Sequence, residues 1–184
     1  MPIENIPFVM QYGILSHECA KKIRHSSVAM TEIQKKRDKI QVPGGLRLHQ
    51  YANLYFDARN PMMFKRKEKA TTLCILKVSV DVLDLADTVI TDQNASSGYV
   101  RFLSPKNIEL LNFDRIYAEN WRHADQIQYF QNKSAKCAEV LVPHCVEPKL
   151  LLGAYVVNNE SKNKLKETGF TLPITIAPDL FFHE

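Results

Sequence analysis

Residues Thr71 to Val82 read "TTLCILKVSVDV", an apolar run rich in β-branched residues. Such side chains pack well on a pleated surface and lose rotamer freedom in a helix, so a strand is expected here. A strand needs partners, because even a lone pair of strands is barely stable in water. The chain supplies them in "LHQYANLYF", "DTVIT", "CAEVLV" and "LLLGAYVV", and the tail "FTLPITIAPDLFF" carries prolines that suit a sheet edge. Helical spacing comes early: Ile6 to Leu15, "IPFVMQYGIL", ends its apolar pattern near Gly13, which suits a helix terminus. Residues Ile108 to Tyr117 also read as helical. Strands dominate from Leu73 onward. The expected class is therefore α+β. With 184 residues, 45% of them hydrophobic, residues 1–184 are expected to form a single domain with a proper core.

Breaks fall at "PGG" (Pro43 to Gly45), at Asn60-Pro61, read as a turn, and in the loop "DQNASSGYVRF". Residues Cys19 to Val42 are polar around "EIQKKRDKIQ". They read as a solvated helix or loop, or as a basic segment that touches a ligand or nucleic acid.

Several function classes are disfavoured. No stretch is apolar over the roughly 18 residues a bilayer requires, so no membrane contact is expected. The start "MPIENIPFVMQYG" lacks a charged leader before an apolar core, so no signal peptide is expected. The four cysteines form no C-x-x-C pair, and Cys137, His144 and Cys145 match no closed metal-site spacing. A reducing, cytoplasmic setting without a metal is the expectation. The net charge of +4 suits a polyanionic partner without requiring one. G-x-G-x-x-G, P-loop, G-x-S-x-G and H-E-x-x-H motifs are absent.

Three polar clusters remain, each embedded in strand-like sequence. In "YFDARNPM", Arg59 beside a turn is either a local partner of Asp57 or a guanidinium fork for a phosphate or carbonyl oxygen. In "TDQNASS", Asp92, Asn94 and Ser96 are ordinary turn formers. In "AEVLV", alternation puts Ala138, Val140 and Val142 on one face and Glu139 with Leu141 on the other. If Leu141 is buried, Glu139 borders an apolar site; if that face is wet, Glu139 is ordinary.

Taken together, "LHQYANLYFDARNPMM", "VITDQNAS", "IYAENWRH" and "KCAEVLVP" resemble the DarT family of bacterial DNA ADP-ribosyltransferase toxins. The opening "IENIPFVMQYGILS" resembles that family's NAD-binding segment. The likeness runs from about Ile3 to Val157. It implies an ADP-ribosyltransferase-like fold, a split β-sheet core with flanking helices. It implies transfer of ADP-ribose from NAD onto a base of single-stranded DNA, with thymidine favoured over guanosine, and a macrodomain antitoxin as partner. By motif position, Glu139 and Arg59 would be catalytic. Asn5, Tyr12, Gly13, Ile14, Asn53, Tyr55 and Arg59 would bind NAD, with Tyr12 and Tyr51 as candidates to stack on a ring. Arg37, Lys65, Arg66, Asn94, Trp121 and Arg122 would meet DNA, with Tyr129 and Phe130 adding to an aromatic platform. Members of the family carry a histidine just before the I-x-N of the first segment. Pro2 stands there in this chain, so either a different grip on the nicotinamide end or a different chain start is expected. The alternatives are a non-enzymatic basic nucleic-acid-binding module, and an ADP-ribosyltransferase acting on protein or RNA.

Overall fold

The computed structural model describes residues 1–27 and 31–183. Its helices are α1 (Ile6–Tyr12), α2 (His17–Ala20), α3 (Thr31–Arg37), α4 (Pro61–Phe64), α5 (Phe113–Ile116), α6 (Gln126–Ala135) and α7 (Asn159–Glu167). Its strands are β1 (Ile14–Leu15), β2 (Tyr51–Tyr55), β3 (Ile75–Val78), β4 (Val89–Thr91), β5 (Phe102–Leu103), β6 (Glu139–Pro143), β7 (Cys145–Val146), β8 (Leu151–Val156) and β9 (Ile174–Ile176). They form a four-stranded sheet of order β2-β6-β4-β5, a three-stranded sheet of order β3-β8-β9, and the small pair β1-β7. The α+β class and the split sheet are as expected.

Strand β6 sits inside the four-stranded sheet and is covered on both faces. Ala138, Val140 and Val142 join a core with Val9, Ala52, Ile90 and Ile116. Leu141, on the opposite face, packs with Val42, Leu48, Tyr51 and Ala95. The alternation read from "AEVLV" is therefore real, and the Glu139 face is not a wet one.

Four expectations change. The long run from Thr71 to Val82 yields a strand only over Ile75–Val78. Thr71 and Thr72 end a 3-10 turn, and the register with β8 shifts between Lys77 and Val78. Ser79 Oγ then accepts from Asp81 N at 3.2 Å and opens another 3-10 turn. Asn60-Pro61 begins a helix rather than a turn. The Asn60 side chain accepts from Met62 N and Met63 N at 2.9 and 3.1 Å, and Pro61 takes the first helical position, where its missing N–H costs nothing. Ile108 to Tyr117 holds only the end of a 3-10 turn and the short α5. Helices also do not all come early. The chain from Asn159 to Glu167 is helical, capped by the Asn158 side chain, which accepts from Ser161 N at 2.9 Å. The tail does form an edge strand, β9, parallel to β8.

Helix α1 ends at Gly13, whose φ is +84°. A Cβ there would lie 2.1 Å from the carbonyl oxygen of Val146. Only glycine lets the chain turn this tightly, and the turn sets Ile14 opposite Val146 in the β1-β7 pair. Between the two larger sheets lies a cleft of about 1230 Å³. Asn53 to Phe56, Glu139 and Val140 line it from one sheet, and Ile75 to Val78 with Tyr155 from the other.

Candidate active site

Glu139 opens strand β6, and its antiparallel partner is Tyr55, with Asn53 opposite Leu141 two steps along. Residues two apart on a strand share a face, so Asn53, Tyr55 and Glu139 point the same way. The Glu139 side chain is fully buried, which for a carboxylate demands partners. It has four. Arg37 Nη1 donates to Oε1 at 3.0 Å and Arg37 Nη2 to Oε2 at 2.9 Å, a bidentate fork. Asn53 Nδ2 donates to Oε2 at 2.7 Å, and the backbone N–H of Ala95 to Oε1 at 2.9 Å. Thr91 steadies the strand start, its hydroxyl accepting from Glu139 N at 3.0 Å and donating to Gln93 O at 2.7 Å. The "TDQNAS" loop thus holds the carboxylate through its backbone.

Burial alone would lower the Arg37 pKa, but the adjacent Glu139 charge and its hydrogen bonds carry it above the usual value. The guanidinium therefore stays charged. Tyr55, across the strand pair, is pushed well up by burial and by the Glu139 charge, so it keeps its proton. Cys137, two residues before Glu139 and also at the cleft, is raised to about 12, mainly by burial. A thiol held there is not a nucleophile at neutral pH.

The structure gathers some expected residues and disperses others. Asn53, Tyr55, Gly13, Ile14, Asn94, Lys65 and Arg66 line the cleft. Asn5 lines it too, but its side chain is taken up internally: Oδ1 accepts from Ser26 N at 2.9 Å and Nδ2 donates to Ser26 O at 2.7 Å. It fixes the segment around Ser26 as a cleft wall. Pro2, where the family histidine was expected, also borders the cleft, and its backbone bridges to Leu73. Tyr12 is exposed and outside the cleft, and Tyr51 is buried, its hydroxyl accepting from Leu46 N at 3.1 Å. Neither presents a ring to the cleft.

Arg59 does not meet Glu139. Its Nε donates to Asp179 O at 3.1 Å, its Nη1 to Glu119 O, and its guanidinium lies 4.4 Å over the Phe182 ring. The arginine at the glutamate is Arg37, expected on DNA. Trp121 is likewise no open platform: it is buried in an edge-to-face cluster with Phe64 and Phe182. Arg122 is exposed and outside the cleft, its backbone N–H donating to Asn120 Oδ1 at 2.9 Å.

Two further residues at the cleft were not anticipated. The rings of His17 and His49 lie 4.3 Å apart, and Asp38 Oδ1 is 3.2 Å from His49 Nδ1. Burial lowers the pKa of both, and Asp38 opposes the shift. No sequence signal marks them, because His17 opens the short helix α2 and His49 lies in a 3-10 turn 32 positions later.

A sequence model described as "ssDNA thymidine ADP-ribosyltransferase, DarT" matches residues 1–182. The chain belongs to the DarT family. It is 31% identical over 189 residues to a DNA ADP-ribosyl transferase–DNA ADP-ribosyl glycohydrolase fusion protein of Thermosipho africanus (strain H17ap60334), covering 98% of this chain. The match takes in 47% of that protein, so the chain spans about half the length of its curated relative. Among solved structures, Thermosipho africanus DarTG in complex with ADP-ribose aligns at TM-score 0.85 and 30% identity, over 99% of this chain and 50% of that one. Thermus sp. 2.9 DarT in complex with ADP-ribosylated ssDNA aligns at TM-score 0.82 and 23% identity, over 98% and 93%. The same DarT with carba-NAD+ aligns at 0.80 and 20%, over 98% and 94%. The DarT fold is thus present end to end. Among the described residues no cluster of His, Cys, Asp and Glu could hold a metal ion, and no helix is long and apolar enough to cross a membrane.

Proposed function

We propose that this chain transfers ADP-ribose from NAD onto a thymidine base of single-stranded DNA, with Glu139 at the centre of the reaction. The observation that carries the reading is the Glu139 carboxylate, fully buried yet set at the wall of a cleft of about 1230 Å³ and aimed by Arg37, Asn53 and the Ala95 N–H. Sites for one drug-sized ligand are usually about 300–1,000 Å³, so this cleft has room for a dinucleotide and a base together.

Cleavage of the nicotinamide–ribose bond sends its electron pair onto nicotinamide and leaves an oxocarbenium-like ribose carbon. A nearby carboxylate stabilises that charge. The base nitrogen donates the new bond to the carbon, and its proton passes to Glu139. Nicotinamide and one proton are the by-products, so the step balances without a metal. Arg37 holds both carboxylate oxygens in one plane, as a bidentate fork does and a point charge does not. Lys36, Lys65, Arg66 and Lys77 line the cleft and suit the phosphates of either substrate.

The fused glycohydrolase half of the Thermosipho africanus relative supports a further part of the proposal. The chain acts as a toxin whose partner, a macrodomain antitoxin, removes the mark. The test is incubation with NAD and short single-stranded oligonucleotides rich in each of the four bases, followed by mass measurement. A gain of one ADP-ribose on the thymine-containing strand is expected. Labelling of guanine alone, or of no oligonucleotide, overturns the assignment.

A further inference from the structure

Tyr117 lines the cleft, yet nothing in the Glu139 chemistry uses it. Its ring stacks on Phe113 at 5.8 Å and 11°, but the residue stays 56% exposed. The peptides on either side are pinned. Lys136 Nζ, buried, donates to the carbonyls of Ile116 at 3.2 Å and Ala118 at 2.6 Å and pairs with the Asp57 carboxylate. A buried ammonium is costly without such a complete set of acceptors. One residue further on, Arg59 holds the carbonyl of Glu119. Two cations from separate parts of the fold thus immobilise the four residues that present one half-exposed aromatic ring.

Phe130 on α6 lines the same cleft and is 57% exposed. Lys133 lines it too, its Nζ donating to the Tyr129 hydroxyl at 3.3 Å and lying 5.2 Å over that ring. Asn94 and Ser134 complete this end of the cleft, the Asn94 N–H donating to Ser134 O at 3.0 Å. Two exposed aromatic rings and an ammonium, lining the cleft that Glu139 also lines, suit a ligand that is both planar and anionic. A nucleotide has that chemistry, and every base has a face to stack.

We propose that Tyr117 and Phe130 form a stacking site for a nucleobase flanking the one modified, with Lys133 meeting its phosphate. Arg59 and Lys136 are positioning residues that act through the peptides around Tyr117. This rests on the single-stranded DNA reading above. A flanking base in a duplex is already paired and stacked, so the site discriminates for single strands.

The test measures transfer to a short single-stranded oligonucleotide, with the oligonucleotide and NAD varied separately. Tyr117→Ala and Phe130→Ala are each expected to raise the oligonucleotide KM by about 5- to 150-fold, the range for losing one stacked base, while the NAD KM holds. Tyr117→Phe, which keeps the ring, is expected to match the parent. Arg59→Lys is expected to raise the oligonucleotide KM, and to add nothing on top of Tyr117→Ala, because both act on one contact. An abasic residue in place of the flanking nucleotide is expected to erase the gap between parent and Tyr117→Ala. A parent that modifies no oligonucleotide removes the DNA reading and this site with it. A parent that modifies DNA, beside alanine variants with unchanged oligonucleotide KM, overturns the stacking site alone. Additive effects of Arg59→Lys and Tyr117→Ala overturn the positioning role.

Discussion

Arg37 takes the place beside Glu139 that the sequence suggests for Arg59, which instead holds the carbonyls of Asp179 and Glu119. "DARNP" draws attention because a guanidinium beside a turn looks poised, whereas Arg37 hides in "KKRDK" among cations that are exposed. Composition cannot tell one buried arginine from its solvated neighbours, since the difference lies in which turn of α3 faces β6. The "AEVLV" pattern left Glu139 open between a wet face and an apolar site, and only the family resemblance singled it out. The structure also changes how Glu139 is best tested. Removing its side chain strands the buried Arg37 charge, a loss of about 3–5 kcal/mol in stability. Glu139→Gln keeps the shape but sets an amide donor against N–H donors and leaves the Arg37 charge unneutralised, so it is expected to cost transfer about 10²- to 10³-fold and to melt below the parent. Initial rates and thermal melts check this; a glutamine variant with the parental rate ends the case for Glu139. His17 and His49 give a second residue-scale expectation. Burial lowers both pKa values, so the unfolded chain binds more protons than the folded one below its ordinary histidine pKa of about 6.5. The stability they contribute is intact above that pH and is lost as pH falls through the window beneath it. Melting temperatures measured from pH 7.5 down to 5 are expected to fall, and His49→Gln to flatten that fall.

At the level of elements, periodicity succeeded where burial follows the apolar spacing. Strand β6 is covered on both faces, and helix α1 buries Ile6 and Val9 on one face while Phe8 and Tyr12 stay exposed. Periodicity failed over Thr71 to Val82, where a β-branched run is cut short by the Ser79 cap rather than by a change in hydrophobicity. It also passed over α7, whose sequence "NESKNKLKE" carries a single fully buried apolar side chain, Leu165. That helix is announced by its Asn158 cap, not by a stripe. The joint between α1 and β1 turns on Gly13. Gly13→Ala meets both a left-handed φ and the Val146 carbonyl, so a loss on the order of 3 kcal/mol is expected, together with weaker NAD binding. Urea midpoints measure the first and NAD titration the second. Parental values for both would mean that the β1-β7 pair yields without consequence.

Over the whole molecule, the fold class followed from strand content, and the split sheet from the family resemblance. The cleft itself was not legible, because its walls come from segments as far apart as Asn5 and Tyr155. Its size carries a prediction about the substrate. A base reaches Glu139 only when freed from its pair, at a cost of a few kcal/mol. Transfer onto a single strand is therefore expected to outpace transfer onto the same strand annealed to its complement by roughly a hundredfold. Added salt is expected to slow it through counterion release. Equal rates on both substrates would point to a different target. The four donors on Glu139 have a consequence for the cell's energy supply. A carboxylate has about four lone-pair positions, and here each meets a protein N–H. None is spare to prime a water molecule, so on the proposed reaction NAD is expected to survive incubation with the protein when DNA is absent. On that reading a base acts on Glu139 by displacing one of those donors, and NAD consumption is expected to keep step with the DNA marked.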